Sequence, residues 1–352
     1  YALNPDFRDT YTLLQESYYA PLSAQIAAGI DGQNRRLCAE TREQFLEVRE
    51  QRGSSFLQDY RDAAWLEHES YYCEVVVSIA LNDMDAAREN LLLLSSLSPY
   101  FRDIESLFNQ TYYLPARAAL DAEDWETARE LLRVLLTRES FYNDAFVLLR
   151  ESYYRPGSAA FAAGEWATAR AQLIPLVYGA NGGAPIDPDY RDAYTLLRDA
   201  YYAPGAAAYA NGEWASARTH LLPLLYALDT PLPVAPNYSD VGQMVRECYR
   251  QPALAALEAG LWDNVRAELL PLLFGSSGFP AIDPNYADVQ EILRESYYRP
   301  AAAALETGEW EAVREYLHPL IVGTDTTAPI DRNYRDAQVL LRESYYRPAA
   351  AA

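Results

Sequence analysis

The chain has 352 residues, and half of them are apolar, so it can bury a large core and is not disordered by composition. Asp and Glu outnumber Lys and Arg by 50 to 29, a net charge of −21. Such a surface repels phosphate backbones, which argues against nucleic acid and anionic membrane as partners, and no apolar run reaches the ~18 residues of a membrane-inserting helix. Every basic residue is Arg, as GC-rich bacterial coding would give; without Lys, neither a Schiff base nor a P-loop can form.

Along the chain one phrase recurs. It reads FRDTYTLLQESYYAP at 7–21, YNDAFVLLRESYYRP at 142–156, YRDAYTLLRDAYYAP at 190–204, YADVQEILRESYYRP at 286–300 and YRDAQVLLRESYYRP at 334–348. A second phrase follows: AGEWATAR at 163–170, NGEWASAR at 211–218 and TGEWEAVR at 307–314. The tyrosine pair closes at Tyr19, Tyr72, Tyr113, Tyr154, Tyr202, Arg250, Tyr298 and Tyr346, in steps of 53, 41, 41, 48, 48, 48 and 48. Trp125, Trp166, Trp214, Trp262 and Trp310 keep the same period. Two independent markers on one period establish internal repetition.

Within the unit at 187, Ala193, Leu196, Leu197, Ala200 and Tyr201 fall at helical spacing, and so do Trp214, Ala217, Leu221 and Leu224. Gly212 suits a helix C-terminus between them. Each unit is thus predicted as two helices that bury their apolar faces only by stacking on neighbours. The five tryptophans read as repeat core, where truncation to Ala costs roughly 3–5 kcal/mol if the ring is buried. Pro21, Pro115, Pro156, Pro204, Pro252, Pro300 and Pro348 are expected to kink the first helix or to start a new one. Pro175, Pro223, Pro271 and Pro319 are expected to bend the second helix towards a long connection.

These residues, Pro188, Leu197, Tyr201, Gly212, Trp214, Ala217 and Leu221 among them, resemble the tetratricopeptide repeat. That repeat is about 34 residues long; here one or two blocks of seven are added. The resemblance implies an all-α, right-handed superhelical solenoid of about seven and a half helix-turn-helix repeats, with units near 4–56, 57–97, 98–138, 139–186, 187–234, 235–282, 283–330 and 331–352. The segment 29–55 fits worst, lacking the Trp, and Arg198, Arg150, Arg294 and Arg342 stand where the family has a small residue. The resemblance also places the first helix along a concave groove. Carried over, the groove is a ladder of carboxylates and tyrosines: Asp144, Glu151, Tyr154; Asp192, Asp199, Tyr202; Asp288, Glu295, Tyr298; and Asp336, Glu343, Tyr346. The alternative for the aspartates is helix capping, and for the tyrosines packing between stacked helices.

His68, His220 and His318 sit in different phases of the repeat, and no CxxC, GxSxG, HExxH or Walker pattern occurs, so no catalytic residue, metal site or cofactor is expected and the chain reads as a non-enzyme. Cys38 and Cys73 lie in neighbouring units and could pair, though spacing does not require it. Asn109 and Asn237 open glycosylation sequons, and the connections LDTPLPVAP and VGTDTTAPI suit O-glycans on an exported chain. Tyr1-Ala2-Leu3 matches the second-helix tail Tyr226-Ala227-Leu228, and 347–352 repeats 299–304, so the sequence opens and closes mid-unit. The expected function is a structural repeat that stacks head to tail on its own kind as a filament or array, extracellular and glycosylated in the favoured reading. The alternative is a scaffold whose acidic, Tyr-lined groove takes a basic peptide or a glycan.

Overall fold

The computed structural model describes residues 9–180, 183–238, 240–276, 279–323 and 328–351, and these form an all-α repeat solenoid with no β-strand among them. Two compact units divide the chain, Tyr1–Tyr153 and Tyr154–Ala352, the division falling within α7 (Ala145–Ala162).

In the first unit, α1 (Thr10–Asp31) pairs with α2 (Arg35–Arg52), α3 (Leu66–Ala80) with α4 (Met84–Leu97), and α5 (Ile104–Asp121) with α6 (Trp125–Arg138). Each pair packs on the next, α2 on α3 and α4 on α5. The poorly fitting segment 29–55 is helical through most of its length, and a disulfide joins Cys38 of α2 to Cys73 of α3, Cα to Cα 5.8 Å. A Cβ on Gly29 of α1 would lie 2.8 Å from the Cys38 sulfur and 3.0 Å from that of Cys73, so the bare glycine makes room for the bridge.

In the second unit, α8 (Trp166–Val177) packs on α9 (Ala193–Ala210), which pairs with α10 (Trp214–Leu225). The order continues through α11 (Val241–Glu258), α12 (Trp262–Phe274), α13 (Ala287–Thr307), α14 (Trp310–Leu317), a π turn at His318–Val322, and α15 (Ala337–Ala351). First helices also touch first helices, α9 to α11, α11 to α13 and α13 to α15.

The buried register is the same in each repeat. Leu197, Ala200 and Tyr201 of the first helix and Ala217, Leu221 and Leu224 of the second are all fully buried, Ala200 against Ala160 and Ala169 of the preceding repeat. Closest approach occurs just after the proline: a Cβ on Gly205 would lie 2.6 Å from Leu221, and one on Gly157 2.8 Å from Leu173. The small residue missing at Arg198 is therefore supplied nearby, by Ala200 and Gly205. The turn between paired helices is left-handed throughout. Gly164, Gly212, Gly260 and Gly308 hold φ between +70° and +76°, and Gln33, Asn82 and Glu123 take the same conformation at a steric cost.

Two expectations need correction. The repeat tryptophans are only half-buried. Each opens a second helix, and Trp166, Trp214, Trp262 and Trp310 lay their rings against the left-handed glycine, as Trp214 does 3.7 Å from where a Gly212 Cβ would sit. Trp125, Trp166, Trp262 and Trp310 share that position, so their truncation costs less than that of a core ring. And of the two outcomes expected at the first-helix prolines, the start of a new helix does not occur: α1, α5, α7, α9, α11, α13 and α15 each run through one as a single helix.

Candidate functional site

The residues that the groove reading singles out converge on the junctions between successive repeats. The Tyr154 hydroxyl donates to Asp192 at 2.5 Å, its ring meets Tyr190 edge-on at 5.7 Å, and the Arg191 guanidinium lies over both rings. The bond to Asp192, with burial second, pushes the Tyr154 phenol above its ordinary pKa. The same link runs from Tyr19 to Asp62, Tyr72 to Asp103, Tyr113 to Asp144, Tyr202 to Asp240 and Tyr298 to Asp336. At the one junction whose sequence has Arg250, the partner is still Asp288, now by an ion pair at 4.0 Å.

Four of these aspartates sit at helix starts where their carboxylates do not cap. Asp62, Asp103, Asp192 and Asp240 are N-caps without a side-chain bond to their own helix. A carboxylate at an N-terminus still gains from the helix dipole, but its lone pairs serve the preceding repeat.

The glutamate column is tied as firmly. Glu295 is buried and accepts from the Tyr334 hydroxyl, from Arg335 at 2.6 Å and from Arg299 at 2.6 Å. Burial alone would raise its pKa; the bonds from Tyr334 and Arg299 and the Arg335 charge outweigh it, and the carboxyl titrates below its usual range. Glu247 accepts from Tyr286 at 3.0 Å, and Glu16 from Tyr60. Glu151 is likewise buried, Asp199 pairs with Arg198 at 2.8 Å, and Glu343 with Arg347 at 2.8 Å. Tyr346, by contrast, is 69% exposed.

A second column passed unnoticed in the sequence. The Arg that ends each EWATAR-type phrase lies over the first tyrosine of the next repeat: Arg42 over Tyr71, Arg88 over Tyr112, Arg129 over Tyr153, Arg170 over Tyr201, Arg218 over Tyr249, Arg266 over Tyr297 and Arg314 over Tyr345, at 3.8 to 4.9 Å from the ring centroids. Such stacking stabilises by roughly 0.5–2 kcal/mol according to burial.

The in-helix prolines complete the device. A proline withholds the N–H that would bond the carbonyl four residues back. For Pro204 that is Ala200, and Arg170 donates to it at 3.1 Å. Thr111, Ser152 and Ser296 stand four before Pro115, Pro156 and Pro300; their carbonyls accept from Arg88 at 3.1 Å, Arg129 at 2.5 Å and Arg266 at 2.9 Å. Where the proline is replaced by Glu74, Arg42 pairs with that carboxylate instead. The legible signal was an Arg and a Pro at constant repeat positions, which only the junction geometry connects.

The prolines of the second helices stand in or just beyond the last turn. The long connection returns to them: Asp187 donates its backbone N–H to Leu176 O at 3.0 Å, Ala235 to Leu224 O at 2.9 Å and Asp331 to Leu320 O at 2.8 Å.

Other candidates are dispersed. His68 stacks beside Trp65 and Phe101, His220 meets Arg170 at 3.3 Å, and His318 meets Tyr345 at 3.3 Å. Cys248 occupies the buried site that is Ser152, Ala200 or Ser296 in other repeats, and burial raises its thiol to about 11. Among the described residues no three His, Cys, Asp or Glu side chains gather as metal ligands, and no helix is long and apolar enough to cross a membrane. Asn109 is buried inside α5, where a glycan has no room; Asn237 is exposed in a connection, while Ser239 of its sequon lies outside the described residues, as do 1–8 and the stretch 324–327 of the O-glycan candidate. The chain matches no protein-family model and no curated protein.

Proposed function

We propose that this chain is a non-enzymatic structural repeat protein whose units stack end to end into a filament or extended array. The carrying observation is the repeated junction: Tyr154, Tyr202 and Tyr298 each donate to the helix-start Asp of the following repeat, so every repeat presents the surface that the next one takes. In this reading the next unit supplies a helix-start Asp, as Asp9 does at the head of α1, and every junction renews the same surface. A heterologous contact of that kind propagates. The helix pair, with its left-handed turn and following Trp, is read as a lengthened tetratricopeptide-like unit. The Cys38–Cys73 bridge fits maturation in an oxidising compartment, and hence export.

The test is negative-stain microscopy and sedimentation of the purified chain over a concentration series. Filaments or a length ladder are expected, and Tyr346→Ala together with Asp9→Asn should shorten them. Monodisperse short particles at every concentration would sink the reading. The lesser reading, a basic peptide or glycan held in the groove, has the exposed edges of Asp144, Asp192 and Asp336 in its favour. Against it, these carboxylates already hold tyrosines. Saturable basic-peptide binding lost on Asp199→Asn and Tyr202→Ala, with no polymer formed, would favour it.

A further inference from the structure

Later second helices place one side chain against the Arg of the repeat before. Two residues past its own Arg, α10 carries His220, α12 Glu268 and α14 Tyr316. Glu268 pairs with Arg218, and the Tyr316 ring lies under Arg266 at 5.5 Å. His220 takes that place for Arg170, whose Nη1 lies 3.3 Å from the imidazole Nδ1. The same nitrogen donates at 3.1 Å to the Ala200 carbonyl, and the guanidinium lies 4.6 Å from the centre of the Tyr201 ring. One cation of α8 thus holds α9 and touches α10, and the charge of that last contact depends on pH.

An imidazole with its proton on Nε2 offers the Nδ1 lone pair to Arg170. An imidazolium offers none, and it sets a second positive charge beside the first. Among the described residues no carboxylate bonds to His220 or Arg170. From α9, a Cβ on Gly205 would lie 3.2 Å from the His220 Cβ, and the Tyr201 hydroxyl is turned to Asp229 at 3.0 Å. On α10 itself Arg218 is engaged by Glu268 of α12 and lies 4.4 Å from the Tyr249 ring of α11.

Burial first, and then the Arg170 charge, hold the imidazole below its ordinary pKa of 6.5. The unfolded chain therefore takes the proton first, and stability is lost as pH falls through that ordinary value. The other histidines face no cation: His68 stacks on Phe101 and feels the Glu67 charge, and His318 meets the Tyr345 hydroxyl.

We propose that His220 makes the packing of α8 on α9 and α10 an acid-sensitive joint. Proton uptake by the imidazole repels Arg170, the Ala200 carbonyl loses its donor, and the stack loosens there before it loosens at the Arg218 and Arg266 junctions. The joint belongs to a single chain, so it stands whether or not chains stack end to end.

The test is hydrogen exchange of the whole chain at about pH 7.5 and about pH 5.5, scaled for the intrinsic amide rate. On acidification, protection of α9 should fall at least about threefold more than that of α13, whose Ser296 carbonyl Arg266 holds at 2.9 Å. His220→Gln, which leaves a neutral side chain in place, should remove the excess. If that variant lacks helical circular dichroism at the higher pH, His220→Tyr, the side chain of the α14 repeat, takes its place. An equal fall in both helices, or an excess that survives the substitution, would overturn the proposal.

Discussion

The guanidinium of Arg170 donates to the Ala200 carbonyl, the one that Pro204 leaves without a helical donor. A residue that weakens its own helix thus creates the acceptor that holds the neighbouring helix. The coupling is measurable. Arg170→Met should destabilise by about 2–3 kcal/mol, because it strips a charge-assisted bond from a buried carbonyl. In a Pro204→Ala background the substituted residue brings back the missing N–H, so the same change should cost less, by at least ~1 kcal/mol. Urea unfolding of the four proteins in this cycle checks it; strictly additive midpoints would show that Arg170 and Pro204 act separately.

The tyrosine–aspartate link predicts an asymmetry between junctions. Tyr154→Phe should cost about 1–2 kcal/mol, the worth of a hydrogen bond to a charged acceptor. Arg250→Tyr should go the other way and stabilise by up to about 1 kcal/mol, by exchanging a weak surface pair for a hydroxyl bond. It replaces a 4.0 Å pair to a largely exposed Asp288 with the link used elsewhere. Thermal midpoints of both variants decide.

Left-handed turns give a third expectation. Glu123 holds φ +60° where later repeats have glycine. Glu123→Gly should therefore stabilise by about 1 kcal/mol, whereas Gly212→Ala, at φ +74°, should destabilise by a similar amount. Equal and opposite shifts in denaturation midpoint are expected; a loss in both would mean that Glu123 contributes contacts beyond the turn.

Alkaline pH should dismantle the junctions together. Bonds to Asp and burial hold Tyr19, Tyr113, Tyr154 and Tyr298 above the ordinary phenol value of 10.0. A folded pKa above the unfolded one means that the stability is complete below about pH 10 and is lost as pH rises through the folded values. Glu295 works in the opposite sense: its folded pKa lies below 4.5, so its share is present above that pH and is lost as pH falls through the folded value. Helical circular dichroism against pH should drop above about pH 10, with the drop moved upward in a chain carrying Tyr113→Phe, Tyr154→Phe and Tyr298→Phe.

The helical repeat was legible because its apolar period is short-range, as at Leu197, Ala200 and Tyr201, and because Trp and the tyrosine pair mark it twice. The use of the polar residues was not. Asp192 at a helix start satisfies every local rule for a cap, and only the neighbouring helix, 38 residues earlier in the chain, reveals that its carboxylate belongs to Tyr154. Pro204 likewise reads locally as a break. The helix continues because the cost of its missing bond is met from another helix, which one-dimensional spacing does not record. The half-buried tryptophans were misplaced for the converse reason: a constant residue suggested a core, while four of the five lie against the left-handed turn glycine at the start of the second helix.

Because Tyr154 grips Asp192 and Tyr202 grips Asp240 across the same 38-residue interval, the bond carries no address that tells these two repeats apart. A chain from which residues 187–234 had been excised would offer Asp240 to Tyr154 in place of Asp192, and an in-frame duplication of that block would insert one more link of the same kind. Length is thus a quantity that recombination can add or subtract in whole steps, leaving every remaining grip intact.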